Sequence, residues 1–226
     1  MPKASNTQHR AHTIYKNAAG KRVPGTTTIS GLLDKSRFLV PWANKLGLQG
    51  IDSSSYVDEK AKSGTLAHAM AAAELAKAMG NEPEAINLAD YTGHEIDAAE
   101  NSFLKWLGWW KAHKIVPVLA EACLVSEAHQ YGGQIDCYAS IDGRLALIDN
   151  KTSKAIYPEH WIQVAGYALI LEELGYQVDE VRILQIGRDE SEGFHEEVKT
   201  DLSIQKSIFL HCREIYNLQS KLRGGD

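Results

Sequence analysis

At 226 residues, 44% hydrophobic and 23% charged, the chain has an ordinary globular composition and is long enough for one substantial domain, which excludes a disordered, collagen-like or disulfide-built scaffold. No apolar run approaches the ~20 residues that cross a bilayer, and MPKASNTQHR lacks the apolar core of a secretory signal, so a cytoplasmic protein with no membrane partner is expected. A net charge of −5 excludes coating nucleic acid by bulk electrostatics and leaves local contacts, or a bound cation, as the route to a phosphate backbone.

In chain order, TIYKNAAGKRV reads as a short β element turning at Ala19-Gly20, followed by helical sequence with Leu32, Leu33, Leu39 and Trp42 as apolar anchors. A helix is expected from about Ser55 to Met79, with capping-box spacing at Ser55 and Asp58, an alanine-rich interior and Gly80 as the stop. It carries GTLAH at 64–68, whose small residues allow close approach to a neighbouring layer. Thr92-Gly93-His94-Glu95 is a second capping box, opening an amphipathic helix through Ile96, Ala99, Phe103, Leu107 and Trp110.

From Val116 the period changes. PVLAEACLVSEA, GGQIDCYASI and RLALIDN read as strands, the last two joined by a tight turn at Asp142-Gly143. EHWIQVAGYALILEEL is a helix entered by Pro158 and closed by Gly175; EVRILQIGR and FHEEVKT are strands, and an amphipathic helix runs from about Asp201. No G-x-x-x-x-G-K-[ST] occurs, which argues against an ATP-driven motor. Cys123, Cys137 and Cys212 have no C-x-x-C spacing and read as reduced, mostly buried thiols rather than disulfide, zinc or iron–sulfur ligands.

A two-residue loop at Asp142-Gly143 places Ile141 opposite Arg144 and, further along, Asp136 opposite Asp149. Directly opposed side chains have Cβ atoms ~4.5–5.5 Å apart, and two carboxylates there repel unless something compensates, most simply a divalent cation. Lys151 follows two residues later on the same face of its strand. Asp-x-Lys alone is a common exposed ladder, but the apolar LALI before it and the opposing Asp136 are poorly explained by a solvated face.

GTLAH (64–68), GGQID (132–136), IDNKT (148–152) and QVAGY (163–167) together resemble, in order and spacing, the four signature blocks of RecB-like PD-(D/E)XK nucleases, and VPGTTTISGLLDK with LVPWANKLG resembles the N-terminal region of small phage and bacterial exonucleases of that type. The resemblance covers most of residues 14–190. It implies an α/β fold with a restriction-endonuclease-like core, a mixed central β-sheet flanked by α-helices, in a single domain over 1–226. The expected parts are an N-terminal extension (1–55), a catalytic core (56–200) and a C-terminal helix (201–226).

The resemblance further implies a divalent-metal-dependent DNA exonuclease of phage or bacterial recombination, repair or DNA processing, acting in the cytoplasm of a bacterial or phage-infected cell. Alternatives are a structure- or site-specific endonuclease on the same core, or a catalytically retired DNA-binding module; a recombination or single-strand-binding protein is a conceivable partner. By resemblance His68, Asp136, Asp149 and the backbone carbonyl of Asn150 would hold one or two Mg²⁺ or Mn²⁺ ions, and Lys151 would be the catalytic lysine beside Asp136 and Asp149. The absence of a four-cysteine cluster puts the chain outside the iron–sulfur branches.

Hard carboxylate oxygens suit Mg²⁺ and Mn²⁺, and one histidine among them favours tolerance of Mn²⁺. Gln163 and Tyr167, one helical turn apart, would place Lys151 or a phosphate, although Tyr167 also reads as core. Glu121 is a candidate for supporting or second-metal contact, and Thr152, Ser153 and Lys154 for backbone phosphates or a solvated loop. Trp42, Trp106, Trp109 and Trp110 are candidates for stacking on bases, with core packing as the alternative for each.

Overall fold

The computed structural model describes residues 13–224. A small hairpin pairs β1 (Tyr15–Lys16) with β2 (Arg22–Val23), and Gly20 turns it at φ 76°. Short α1 (Thr26–Ser30) and then α2 (Ser36–Leu48) lead to the long α3 (Ser53–Ala78) and α4 (Gly93–Ala112). A five-stranded sheet follows in the order β3 (Ile115–Ser126), β4 (Tyr131–Ile141), β5 (Arg144–Lys151), β6 (Glu180–Ile186) and β7 (Phe194–Lys199). Every pair is antiparallel except β5 with β6, whose parallel crossover is α5 (Pro158–Glu173), and α6 (Ser203–Leu222) ends the chain. This is the expected mixed sheet flanked by helices, consistent with a restriction-endonuclease-like core.

One sheet face packs Leu147, Val181 and Ile183 against Trp161, Val164 and Leu171 of α5, and the other packs Cys137, Ile148 and Leu184 against Leu75 of α3 and Trp106 of α4. Trp106 and Trp109 are therefore core, because α4 lies flat on the sheet and must bury its apolar stripe. Behind α5, Phe209 of α6 and Ile29 of α1 form a further apolar cluster with Tyr131.

Several local expectations hold in detail. Thr92 and Glu95 form the reciprocal capping box, Pro158 opens α5, and Asp142 and Gly143 both take positive φ, as a two-residue hairpin with right-twisted strands requires. Two need correction. Asp52, not Ser55 with Asp58, caps α3: its carboxylate accepts from the Ser55 N–H at 2.7 Å, so the helix starts at Ser53. Leu39 and Trp42 are not core anchors, being 51% and 36% exposed; only Leu46 of that helix is buried, because α2 rests on the beginning of α3, Trp42 edge-on to Tyr56, and no second layer covers it among the described residues.

Candidate metal and phosphodiester site

The ladder between β4 and β5 follows the predicted register from Ile141↔Arg144 to Cys137↔Ile148 and then stops. One step further would pair Asp136 with Asp149. At the same level β3 and β4 pair Ala120 with Cys137 and Ala122 with Ile135, leaving Glu121 and Asp136 opposite each other outside the ladder. Three carboxylates thus share one row across three neighbouring strands.

Side-chain alternation slips at this row. Ala120 packs on the α3–α4 side and Ala122 on the α5 side; Cys137 and Ile135 divide the same way, although strict alternation keeps residues two apart on one face. Glu121 absorbs the slip on β3 with φ 48°, a left-handed conformation that costs a non-glycine residue about 1–3 kcal/mol and is concentrated at functional sites. On β4 the slip turns Asp136 toward β5, where its Oδ2 accepts from the Asn150 N–H at 2.7 Å in place of a strand–strand bond.

α3 brings His68 to this row. Its Nδ1 lies 3.6 Å from Asp136 Oδ2, and ligand atoms of His68, Glu121 and Asp136 all fall within 4.8 Å of one another. Donors around one cation at ~2.0–2.6 Å are separated by about 4–5 Å at most, so this set fits a hard divalent ion with little adjustment. Gln134 Nε2 donates to Glu121 Oε2 at 2.8 Å and holds that carboxylate in place.

Asp149 is not within that group of three. It is 2% exposed, with Lys151 Nζ 2.6 Å from its Oδ2. This buried oxygen is thus paired with the Lys151 ammonium, which pulls the carboxyl down against burial. The row therefore divides into a His68–Glu121–Asp136 set and an Asp149–Lys151 pair, joined through the Asn150 N–H.

The charges follow from this packing. Burial opposes a charged imidazole at His68, but the Asp136 carboxylate, aided by Glu121, holds it up at about 9. Burial and then the neighbouring Asp136 push Glu121 well above the carboxylate range. Burial raises Asp136 too, but His68 and Lys151 outweigh it and hold Asp136 low. Burial lifts Asp149 against the pull of Lys151.

Without a cation His68 and Glu121 therefore keep protons near neutral pH, and coordination must displace them. Mn²⁺ affinity is expected to rise from pH 6 to pH 9, by about tenfold per pH unit for each proton released. Titration calorimetry in buffers of unlike ionisation heat checks this; a heat independent of buffer would contradict it.

The supporting residues are placed as follows. Gln163 Nε2 donates to Tyr167 OH at 2.7 Å, and Tyr167 is buried with its hydroxyl held far from ionisation, first by burial and then by nearby Asp149. Tyr167 is thus both core and neighbour of the site. Gln185 Nε2 donates to the Ser153 carbonyl at 2.8 Å and fixes the turn after β5, while Lys154 stands in solvent. Asn150 is buried with its side-chain Oδ1 unpaired.

Thr152 meets α3: a Cβ on Gly64 would come 2.5 Å from Thr152 Oγ1. The glycine of GTLAH is what lets His68 sit over the strand end. Gly64→Ala is therefore expected to weaken Mn²⁺ binding although alanine is the better helix former, and adding Thr152→Ala should restore it, as read by calorimetry.

His160 was not evident in the sequence. Burial and then the Lys151 ammonium press it down to about 4, so it faces the site neutral, its Nδ1 accepting from the Tyr157 N–H at 3.3 Å. Only its spacing, one turn before Gln163, could have drawn attention to it.

No family model and no curated protein matches this chain. Among solved structures it is similar to an alkaline exonuclease (LHK-Exo) from Laribacter hongkongensis, at 11% identity and TM-score 0.34 over 66% of this chain and 79% of that one. LHK-Exo in complex with dAMP matches at 13% identity and TM-score 0.33 over 69% and 92%, and the protein SSO0001 at 13% and 0.29 over 54% and 61%. Likenesses this distant leave the question of activity to the residues of the site.

Proposed function

We propose that the chain is a divalent-metal-dependent deoxyribonuclease, more specifically an exonuclease, using Mg²⁺ or Mn²⁺. The observation that carries this reading is the row itself: His68, Glu121 and Asp136 within one ion's reach, beside a buried Asp149–Lys151 pair at a strand end. Hydrolysing a phosphodiester requires neutralised phosphoryl oxygens, an activated water and help for the leaving oxygen. A bound divalent cation supplies the first and makes a coordinated water more acidic.

The protein's own groups supply the rest. His68, Glu121 and Asp136 would hold and orient the ion, and Asp149, buried beside Lys151, would accept a water proton or join the coordination. Lys151, with a 17% exposed side chain, offers an ammonium to charge developing on the phosphate. The Gln163–Tyr167 pair fixes the wall next to Asp149. A retired DNA-binding module would be expected to have lost a ligand or the lysine, and here all are present together.

End-labelled linear DNA and covalently closed circles, each with Mg²⁺, Mn²⁺ or chelator, test the reading. Linear DNA should be degraded from its ends only with a cation, and circles should persist. Cutting of circles would make the enzyme an endonuclease on the same site.

A further inference from the structure

Helix α2 is the exception in a molecule whose other long helices bury an apolar stripe. Phe38, Val40 and Leu48 are 72%, 65% and 82% exposed, and Trp42 is partly exposed. From Lys35 to Ile51 the sequence has no acid and three cations, of which Lys35 pairs with Glu159, while Arg37 and Lys45 have no acid in this stretch. Asp34 and Asp52, which flank this stretch, have their carboxylates engaged by the N–H groups of Ser36 and Ser55.

The helix is nonetheless seated in a definite place. The Trp42 ring meets Tyr56 of α3 edge-on at 6.0 Å, Lys60 stands 5.5 Å over the other ring of that pair, and Lys35 bonds Glu159 in the first turn of α5 at 3.1 Å. Tyr56 and Lys60 precede His68 on α3 by about 18 and 12 Å along the axis, and Glu159 precedes Gln163 by one turn. α2 therefore bridges the outer ends of the two helices whose inner turns line the site. Arg37 lies 5.7 Å from the Phe38 ring, so cation and aromatic are presented side by side.

Exposed aromatic faces with interspersed cations and no acid are complementary to a nucleic-acid strand whose bases are unpaired: rings stack on bases, and cations meet phosphates. A duplex hides its base faces and would leave Phe38 and Trp42 without a role. We propose that α2 is a binding platform for single-stranded DNA that leads the strand between α3 and α5 to the His68–Lys151 site. This rests on the nuclease reading and adds the form of the substrate to it.

The test uses the full chain with Lys151→Ala, which is expected to slow any hydrolysis, and follows fluorescence anisotropy of a labelled oligothymidylate and of a blunt duplex across a salt series. The single strand should bind more tightly. Adding Phe38→Ala should weaken single-strand binding about fivefold or more, and adding Arg37→Ala with Lys45→Ala should flatten the log–log salt slope by about 1.4. Circular dichroism confirms that each variant is folded; Phe38 is so exposed that its loss should not disturb the core.

Variants that bind the single strand as the parent does, or a parent that prefers duplex, would overturn the proposal. So would a loss of self-association on Phe38→Ala, seen by sedimentation, with DNA affinity unchanged; that result would make α2 a contact between copies. Wild-type hydrolysis of DNA separates the two levels. If it occurs while the α2 variants bind normally, only the platform is wrong, and if it is absent together with DNA binding, the nuclease reading and the platform both fall.

Discussion

Lys151→Ala is expected to slow metal-dependent DNA hydrolysis by about 10²–10⁴-fold while leaving Mn²⁺ binding nearly intact, because a positioned proton-transfer or charge-stabilising group contributes on that order. The split follows from the geometry. The ion's proposed holders, His68, Glu121 and Asp136, come from α3, β3 and β4, whereas Lys151 touches Asp149, which lies outside that group of three. Removing the ammonium leaves Asp149 buried without its cationic neighbour, so its carboxyl should move further upward and take a proton rather than unfold the strand end. Single-turnover rates measured beside Mn²⁺ calorimetry check this. Parallel loss of rate and affinity would mean that Lys151 helps to build the ion site instead of acting on the phosphate.

Phe209→Ala is expected to have the largest effect on stability, a loss of about 3–5 kcal/mol. For a chain of this size that corresponds to a fall in melting temperature of about 6–20 °C. Phe209 is fully buried, its ring lies 4.9 Å from Tyr131, and a Cβ on Gly166 would come within 2.7 Å of it. Tyr131 OH in turn donates to the Gly166 carbonyl at 2.7 Å. The α6 helix is thus a wedge behind α5, and the residue it supports lies between Gln163 and Tyr167. Thermal unfolding reads the stability loss; Mn²⁺ affinity should fall little in the folded fraction, because the proposed ligands sit on other elements.

Much of this frame was legible in the sequence because local chemistry agreed with the final packing. Asp142-Gly143 can form only a few turns, and the register from Ile141↔Arg144 to Cys137↔Ile148 follows from that choice. Thr92 with Glu95, and Pro158 before an apolar helix, announced their elements in the same way. The small residues of GTLAH signalled a close approach, and Gly64 against Thr152 is that approach.

Other features depend on several segments at once. The slip at Glu121 and Asp136 is invisible in the sequence because nothing local marks a glutamate for φ 48°. Glu121 therefore reads from sequence only as a supporting or second-metal contact, whereas the structure brings it within one ion's reach of His68 and Asp136, with Asp149 beside Lys151. Leu39 and Trp42 read as core by type and spacing; their exposure reflects the absence of a layer over α2 among the described residues, which no window of sequence reveals.

In the proposed mechanism His68, Glu121 and Asp136 hold a divalent cation that serves phosphodiester hydrolysis. The most direct measurement is degradation of end-labelled linear DNA by the wild-type chain and by Asp136→Ala, each with Mn²⁺ and with chelator, on protein shown to be folded. The wild type should degrade the DNA only with Mn²⁺, and Asp136→Ala should be inert in both conditions. Mn²⁺-dependent degradation that survives in Asp136→Ala would contradict the assignment.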